Sequence, residues 1–429
     1  MYRRNRIAAL FAVLTLLVAA CGPGEETPGA SPADPGATAT PAQPGNGDPQ
    51  EVCAADEFGC AEYGDGEPIR IGTALVITTA DADLGLDSQY GAQVAAQMRG
   101  EVLGHEIELD NQDDQCSAEG GTTAARALVS DPSIVAIIGT SCSSAGVPAA
   151  EIASDAGVVM ISPSNTAPSL TAPDTHQPFY ARTAHNDTIQ GAAMAEFACT
   201  VLNIDSAATV HDGSPYAEQL QQVFADEFQS QCGGTITAQE AVSPQDTDMR
   251  PVLTTIAAGS PDLIYYPIFT AGGALMTQQA RQTTGLEDVL LAGADGMQSP
   301  TFLNAAGAAA EGIYASGPDL EFAGSFYSEE FLPAYADISG TDAPLSVFHA
   351  HAFDAMNIIL DAIEKVAIQG DDGRLYIPRT ALRDAVLATS GHAGITGTLT
   401  CNETGDCADP AISVNEVKNG QFVRIWPEG

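Results

Sequence analysis

IVAIIGTSCSSAGVPAAEIASDAGVVMISPSNTAPSLT, residues 134 to 171, is the stretch from which the fold can be read. It opens on an apolar, β-branched run, Ile134 to Ile138, short enough for a buried strand. Gly139 interrupts the run, and Thr140-Ser141-Cys142-Ser143-Ser144 follows as a small polar loop. Val147 to Ala156 then has helical spacing, with Val147, Ile152 and Ala156 on one face, Pro148 in the first turn and Gly157 as the stop. A second apolar strand, Val158 to Ile161, ends in another polar loop, Ser162-Pro163-Ser164-Asn165-Thr166. This is a β-α-β unit with hydroxyl-rich loops at the carboxyl ends of both strands. In an open α/β sheet, ligands sit at that edge. Serines at a helix start also offer N–H groups and hydroxyls to an anion.

The same alternation extends outward in both directions. Strands are predicted at Ile69–Val76 and Ile107–Asp110, with helices at Tyr90–Met98 and Gly121–Val129. After Arg182 the pattern restarts. A helix runs to Val201 and a strand spans Ala207–Val210; the helix Tyr216–Gln229, the strand Leu263–Ile268, the helix Leu275–Gln282 and the strand Val289–Leu291 follow. Alternating strands and helices over this length predict parallel sheets in two domains. No dinucleotide or phosphate-loop glycine motif is present.

The N-terminus speaks for export. Arg3, Arg4 and Arg6 precede an apolar run ending Val18-Ala19-Ala20-Cys21, so residues 1–20 read as a signal peptide. A cysteine directly after the small-residue box resembles a bacterial lipobox, and lipid on Cys21 is the expectation; an ordinary secretory signal is the plainer alternative. Such an anchor holds a protein at a membrane without spanning it. Residues 21–66, rich in Pro, Gly, Ala, Thr and Asp, read as a flexible tether.

Fifteen basic against 56 acidic residues give a formal net charge of −41. That surface argues against nucleic acid and anionic lipid as partners; solubility or adaptation to salt is its plain meaning. Setting Cys21 aside, eight cysteines remain in an exported chain, an even number that predicts disulfides. Pairing by neighbours gives Cys53–Cys60, Cys116–Cys142, Cys199–Cys232 and Cys401–Cys407. No spacing suits a metal, no cofactor is implied, and no base accompanies Ser143 as a hydrolase would require.

The central stretch resembles the leucine/isoleucine/valine-binding proteins, solute receptors of branched-chain amino acid ABC importers. Gly139, Cys142-Ser143-Ser144, Ser162-Pro163, Thr166-Ala167-Pro168 and Leu170-Thr171 carry the resemblance, which continues weakly from about Ile69 to Pro427. It implies a type I periplasmic binding protein: two Rossmann-like lobes, three crossovers and a ligand cleft between. One lobe would hold residues 67–183 and 317–395, the other 184–316 and 396–429, with crossovers near Arg182, Ser316–Pro318 and Gly394–Thr398. It implies the Cys116–Cys142 disulfide, since the family's own bridge joins the matching positions. It implies a non-catalytic monomer that binds a small amino acid and docks on a permease. A ligand-sensing lipoprotein for an amide or small carboxylate, uncoupled from transport, is the alternative.

The resemblance also assigns ligand contacts. Ser143, Ser164 and Thr166 match positions that hold the α-carboxylate or ammonium, and Ser164 stands where alanine is common. Tyr216 matches a tyrosine that closes over the ligand, Phe269 an aromatic that packs on it. Asp295 matches the acidic residue, normally glutamate, that receives the α-ammonium; a buried carboxylate needs such a cation. Leu84, in the loop after the first strand where tyrosine is common, and Ser141 beside Cys142 depart from the pattern and reshape the side-chain pocket.

Overall fold

The structure, a computed structural model, describes residues 47–427. The signal peptide, Cys21 and the tether up to residue 46 lie outside the described residues. Among those described, the strands form two large sheets. The first, of six strands, runs in the order Glu101–Val102, His105–Asp113, Ile69–Leu75, Ile134–Gly139, Val159–Ser162 and Tyr180–Arg182. All neighbours are parallel except the short edge strand Glu101–Val102. The second, of seven, runs Gln421–Trp426, Ile412–Lys418, Tyr314–Pro318, Leu290–Gly293, Leu263–Tyr265, Ser206–His211 and Thr235–Ala241. Its last five strands are parallel and its first two antiparallel.

Both parallel sheets therefore share one order: the chain lays a central strand, steps to one side, then returns and builds the other. The strand order reverses beside Ile69–Leu75 in one sheet and beside Ser206–His211 in the other. Such switch points open a crevice at the carboxyl ends of the strands. The continuous apolar run Ile134–Ile138 follows from burial on both faces, with Ile134 and Ile137 in one core layer and Val135 and Ile138 in the other.

The helix that follows begins at Ser143, not Val147, and runs to Asp155 with Pro148 inside it. Its buried face is Ala145, Gly146, Ala149, Ala150 and Ala153, while Val147 is exposed. Small residues serve there because the helix Ala118–Val129 lies against it; a Cβ on Gly121 would stand 2.4 Å from the Ala145 carbonyl oxygen. The helix predicted at Tyr90–Met98 is longer than read, Ala82–Arg99, which places Leu84 in its first turn rather than in a loop.

Two other readings change. The tether expected to reach residue 66 is overturned beyond residue 48: Pro49–Ala55 is a helix, and Cys60–Tyr63 pairs with Leu375–Pro378. Burial explains this. Ala61 and Tyr63 are fully buried, Phe58 packs edge-on against Phe179, and the Asp56 carboxylate caps the helix Arg379–Leu387 through Thr380. The crossover expected near Gly394–Thr398 comes later, because Leu399 and Cys407 are buried in the first core and the second sheet is entered only at Ile412.

The first and third passages between the lobes run side by side. Arg182 N–H donates to the Gly405 carbonyl and Cys407 N–H to that of Arg182. The Arg182 side chain, fully buried, pairs with Asp406 and donates to Thr171 Oγ1 and to the carbonyls of Asn165 and Ala167. Disulfides join Cys53–Cys60, Cys116–Cys142, Cys199–Cys232 and Cys401–Cys407, the pairing by neighbours. No described helix is long and apolar enough to cross a membrane.

Candidate ligand site

The first-lobe half of the site is a pair of loops stitched to each other. The carboxylate of Asp114, fully buried, accepts from the N–H groups of Ser141 and Cys116 at 2.7 and 2.8 Å, on either side of the disulfide that joins Cys116 to Cys142. Burial pushes this carboxyl up to about 7. Ser141 Oγ accepts from Val76 N–H, and Ser164 Oγ donates to the Ser141 carbonyl. Both hydroxyls are thus engaged in holding the loops. Ser143 Oγ accepts from Ala167 N–H, which leaves its own hydrogen to give. Thr166 Oγ1 is buried with no partner.

The second-lobe half is built around Asp295, at the end of strand Leu290–Gly293. Its carboxylate accepts from Gln190 Nε2 at 2.7 Å and from Tyr216 OH at 3.3 Å, and burial raises its pKa to about 6. Tyr216, at the start of helix Pro215–Cys232, packs against Phe269 with ring centroids 5.2 Å apart. Phe269, from the second lobe, also meets an apolar patch of Leu84, Val76, Cys142, Val347 and Phe348, all from the first. Leu84 and Phe269 therefore do share one surface.

The structure adds residues that the sequence reading passed over. Asp187, first residue of the helix Asp187–Thr200, is fully buried, and the one side chain that reaches its carboxylate is the Thr166 hydroxyl, short of good hydrogen-bond geometry. Its N–H donates to the Thr166 carbonyl, which sets it beside the orphaned Thr166 hydroxyl. Burial, and then the charge of Asp295, push its pKa well above the carboxylate range. Tyr265 OH is buried and unpartnered, and Gln190 ties Asp295 to Ser316. In sequence, Asn186-Asp187 is an ordinary helix start, and Asn186 does cap it through Thr188 N–H; nothing in the motif marks the aspartate as buried.

The lobes meet around these groups. Asp81 Oδ1 accepts from Thr270 N–H and Asp83 Oδ2 from Thr301 N–H, both across the cleft at 3.1 Å. Ser169 and Gln219 exchange two further hydrogen bonds of 2.9 Å. Beside them a cleft of about 870 Å³ remains open, lined by Ala80, Cys116, Val147, Pro215, Ile268 and Phe269 among others. His349 and His351 are both buried and do not converge: His349 bonds Asp87 and Tyr327. Among the described residues no three His, Cys, Asp or Glu side chains gather as a metal site.

Relatives share this architecture. The family model described as a periplasmic binding protein matches residues 68–406. The Leu/Ile/Val-binding protein homolog 3 of Brucella melitensis is 25% identical over 377 residues, 86% of this chain and 95% of the relative. The crystal structure of a leucine-binding protein from Thermotoga maritima superposes with a TM-score of 0.73 at 26% identity, covering 83% of this chain and 97% of the other. A solute-binding protein of an ABC transporter from R. palustris, in complex with benzoate, shares the fold at a TM-score of 0.69 and 21% identity, over 83% and 95% of the two chains. With its two largely parallel sheets and its three passages between lobes, the chain belongs to the periplasmic binding protein family, type I fold, alongside the Leu/Ile/Val-binding proteins.

Proposed function

We propose that the protein is an extracytoplasmic solute receptor, anchored by lipid on Cys21, that captures a small amino acid between its lobes and delivers it to the permease of an ABC importer. The reading is supported by unlike groups brought to the junction of the two lobes. Hydroxyls of Ser143 and Thr166 come from one lobe, the Asp295 carboxylate from the other, and the apolar patch of Leu84, Val76, Phe348 and Phe269 lies beside them. A zwitterion with an aliphatic side chain presents a carboxylate, an ammonium and an apolar end to match. Such a ligand touches both lobes only when they are closed, so it shifts the population toward closure. The names of the relatives point the same way, toward branched-chain amino acids.

The benzoate-bound fold relative supports a second reading, an aromatic carboxylate without an amine. The buried Asp295 carboxylate disfavours such an anion and favours the first. A thermal-shift screen of the purified protein against amino acids, their amides and small carboxylates decides between them. A ligand at about 100 times its Kd adds about 2.7 kcal/mol to stability. An α-amino acid is expected to raise the melting temperature of the wild type and not of Asp295→Ala. A shift from benzoate or other amine-free acids alone would overturn the ammonium role, and uptake that is unchanged when the gene is deleted would favour a sensor over a transporter subunit.

A further inference from the structure

The cleft of about 870 Å³ is far larger than a branched aliphatic side chain needs. It is not a gap left by lobes standing apart. Asp81, whose carboxylate accepts from Thr270 N–H across the cleft, lies on its wall. Gln219, one helical turn beyond the lining residue Pro215, bonds Ser169 of the other lobe. The lobes already touch at its edges, so the volume is set by the side chains that line it. Many of these are small, among them Ala80, Ala118, Ser144, Ala271 and Gly272.

Two features define what the space takes. One is apolar surface left to water: Val147 on the first-lobe wall is 46% exposed, and Pro244 faces the same cleft from the second. The other is charge. Among the described residues that line the cleft there is no Lys, Arg or His. Its two carboxylates are engaged by main-chain N–H groups, Asp81 by Thr270 and Asp212 by Ser214. An anionic group would meet no cation there. The cleft is also continuous with the apolar patch around Leu84, because Phe269 and Cys116 belong to both.

We propose that this cleft is a side-chain subsite, walled by Val147, Pro244 and Phe269, and that the receptor's ligand is an α-amino acid with an aromatic side chain. This rests on the receptor reading above. In that reading Ser143 and Thr166 hold the carboxylate and Asp295 the ammonium, so only the side chain is free to extend. An aromatic ring laid between Val147 and Phe269 removes apolar surface from water and adds an aromatic pair. An apolar dipeptide offers similar bulk, but its peptide bond replaces one charged end of the amino acid. Either Asp295 or the hydroxyls would then lose a partner.

The test titrates the twenty L-amino acids, O-benzyl-L-tyrosine and leucyl-phenylalanine calorimetrically into the purified protein. An aromatic amino acid is expected to bind most tightly, at least tenfold better than leucine. Val147→Trp and Pro244→Trp fill the cleft from opposite walls. Each is expected to cut the ratio of aromatic to leucine affinity at least tenfold and to keep the melting temperature of the ligand-free protein. Leucine or any other non-aromatic amino acid as the tightest binder, or a ratio untouched by both substitutions, overturns the subsite and leaves the receptor reading standing. The dipeptide as the tightest binder overturns the free amino acid as ligand. A wild type that binds none of these compounds overturns both readings.

Discussion

Asp114 shows how one buried side chain can set the site through the backbone it holds. Its buried carboxylate gathers the N–H groups on both sides of the Cys116–Cys142 bridge, and removing water from around it raises its pKa to about 7. The folded protein therefore binds this proton more tightly than the unfolded chain, whose aspartates titrate near 4. Between those values the native state holds more protons, so stability is lost as pH rises through that window and is level above it. Asp114→Asn, which keeps the size but not the charge, is expected to flatten the melting temperature between about pH 4 and pH 7, read by thermal scans at closely spaced pH. Residues differ in how plainly they could be read. Tyr216, Phe269 and Asp295 follow strand ends in a pattern that a relative's motif makes visible. Asp187 sits where any helix start would put an acid, so its burial, a tertiary fact, is what reveals it.

At the scale of elements, the loop between the buried strand Ile134–Gly139 and the helix Ser143–Asp155 is held from outside. The Cys116–Cys142 disulfide ties it to the end of strand His105–Asp113, across 26 residues of sequence. Closing a loop of that length contributes about 3 kcal/mol in the chain-entropy model. The double substitution Cys116→Ser, Cys142→Ser is expected to lower the urea midpoint correspondingly and to weaken ligand binding, because Ser141 and Ser143 flank the lost bridge. The alternation of strands and helices was legible because parallel strands are apolar on both faces and the helices between them are long. The phase of the helix Ser143–Asp155 was not. Its core face is alanine and glycine, which carry little hydropathy contrast, so the exposed Val147 pointed to the wrong side. The segment 49–66 read as tether from its composition, whereas a few buried residues, Phe58, Ala61 and Tyr63, decide its fate.

For the whole molecule, the two lobes were legible and their threading was not. Chain returns such as that of the helix His349–Val366 onto the helix Ala82–Arg99 leave no local mark in sequence. The place where the passages converge has one fully buried charge, Arg182, whose carboxylate partner Asp406 lies on the third passage. Removing one member of a buried pair strands the other. Asp406→Ala is expected to cost about 3–5 kcal/mol in urea unfolding, while the double change Asp406→Ala, Arg182→Met is expected to recover part of that loss.

The contacts of Asp81 and Asp83 across the cleft are unequal in kind. Both acceptors are side chains of the first lobe, and both donors, at Thr270 and Thr301, are main-chain N–H groups of the second. Any residue except proline supplies such a donor. The second lobe can therefore change its sequence at those positions and still be gripped, whereas a single substitution at 81 or 83 loosens the grip. The strength of these two contacts is inherited through the first lobe, and selection that retunes them without redesigning the pocket has two codons on which to act.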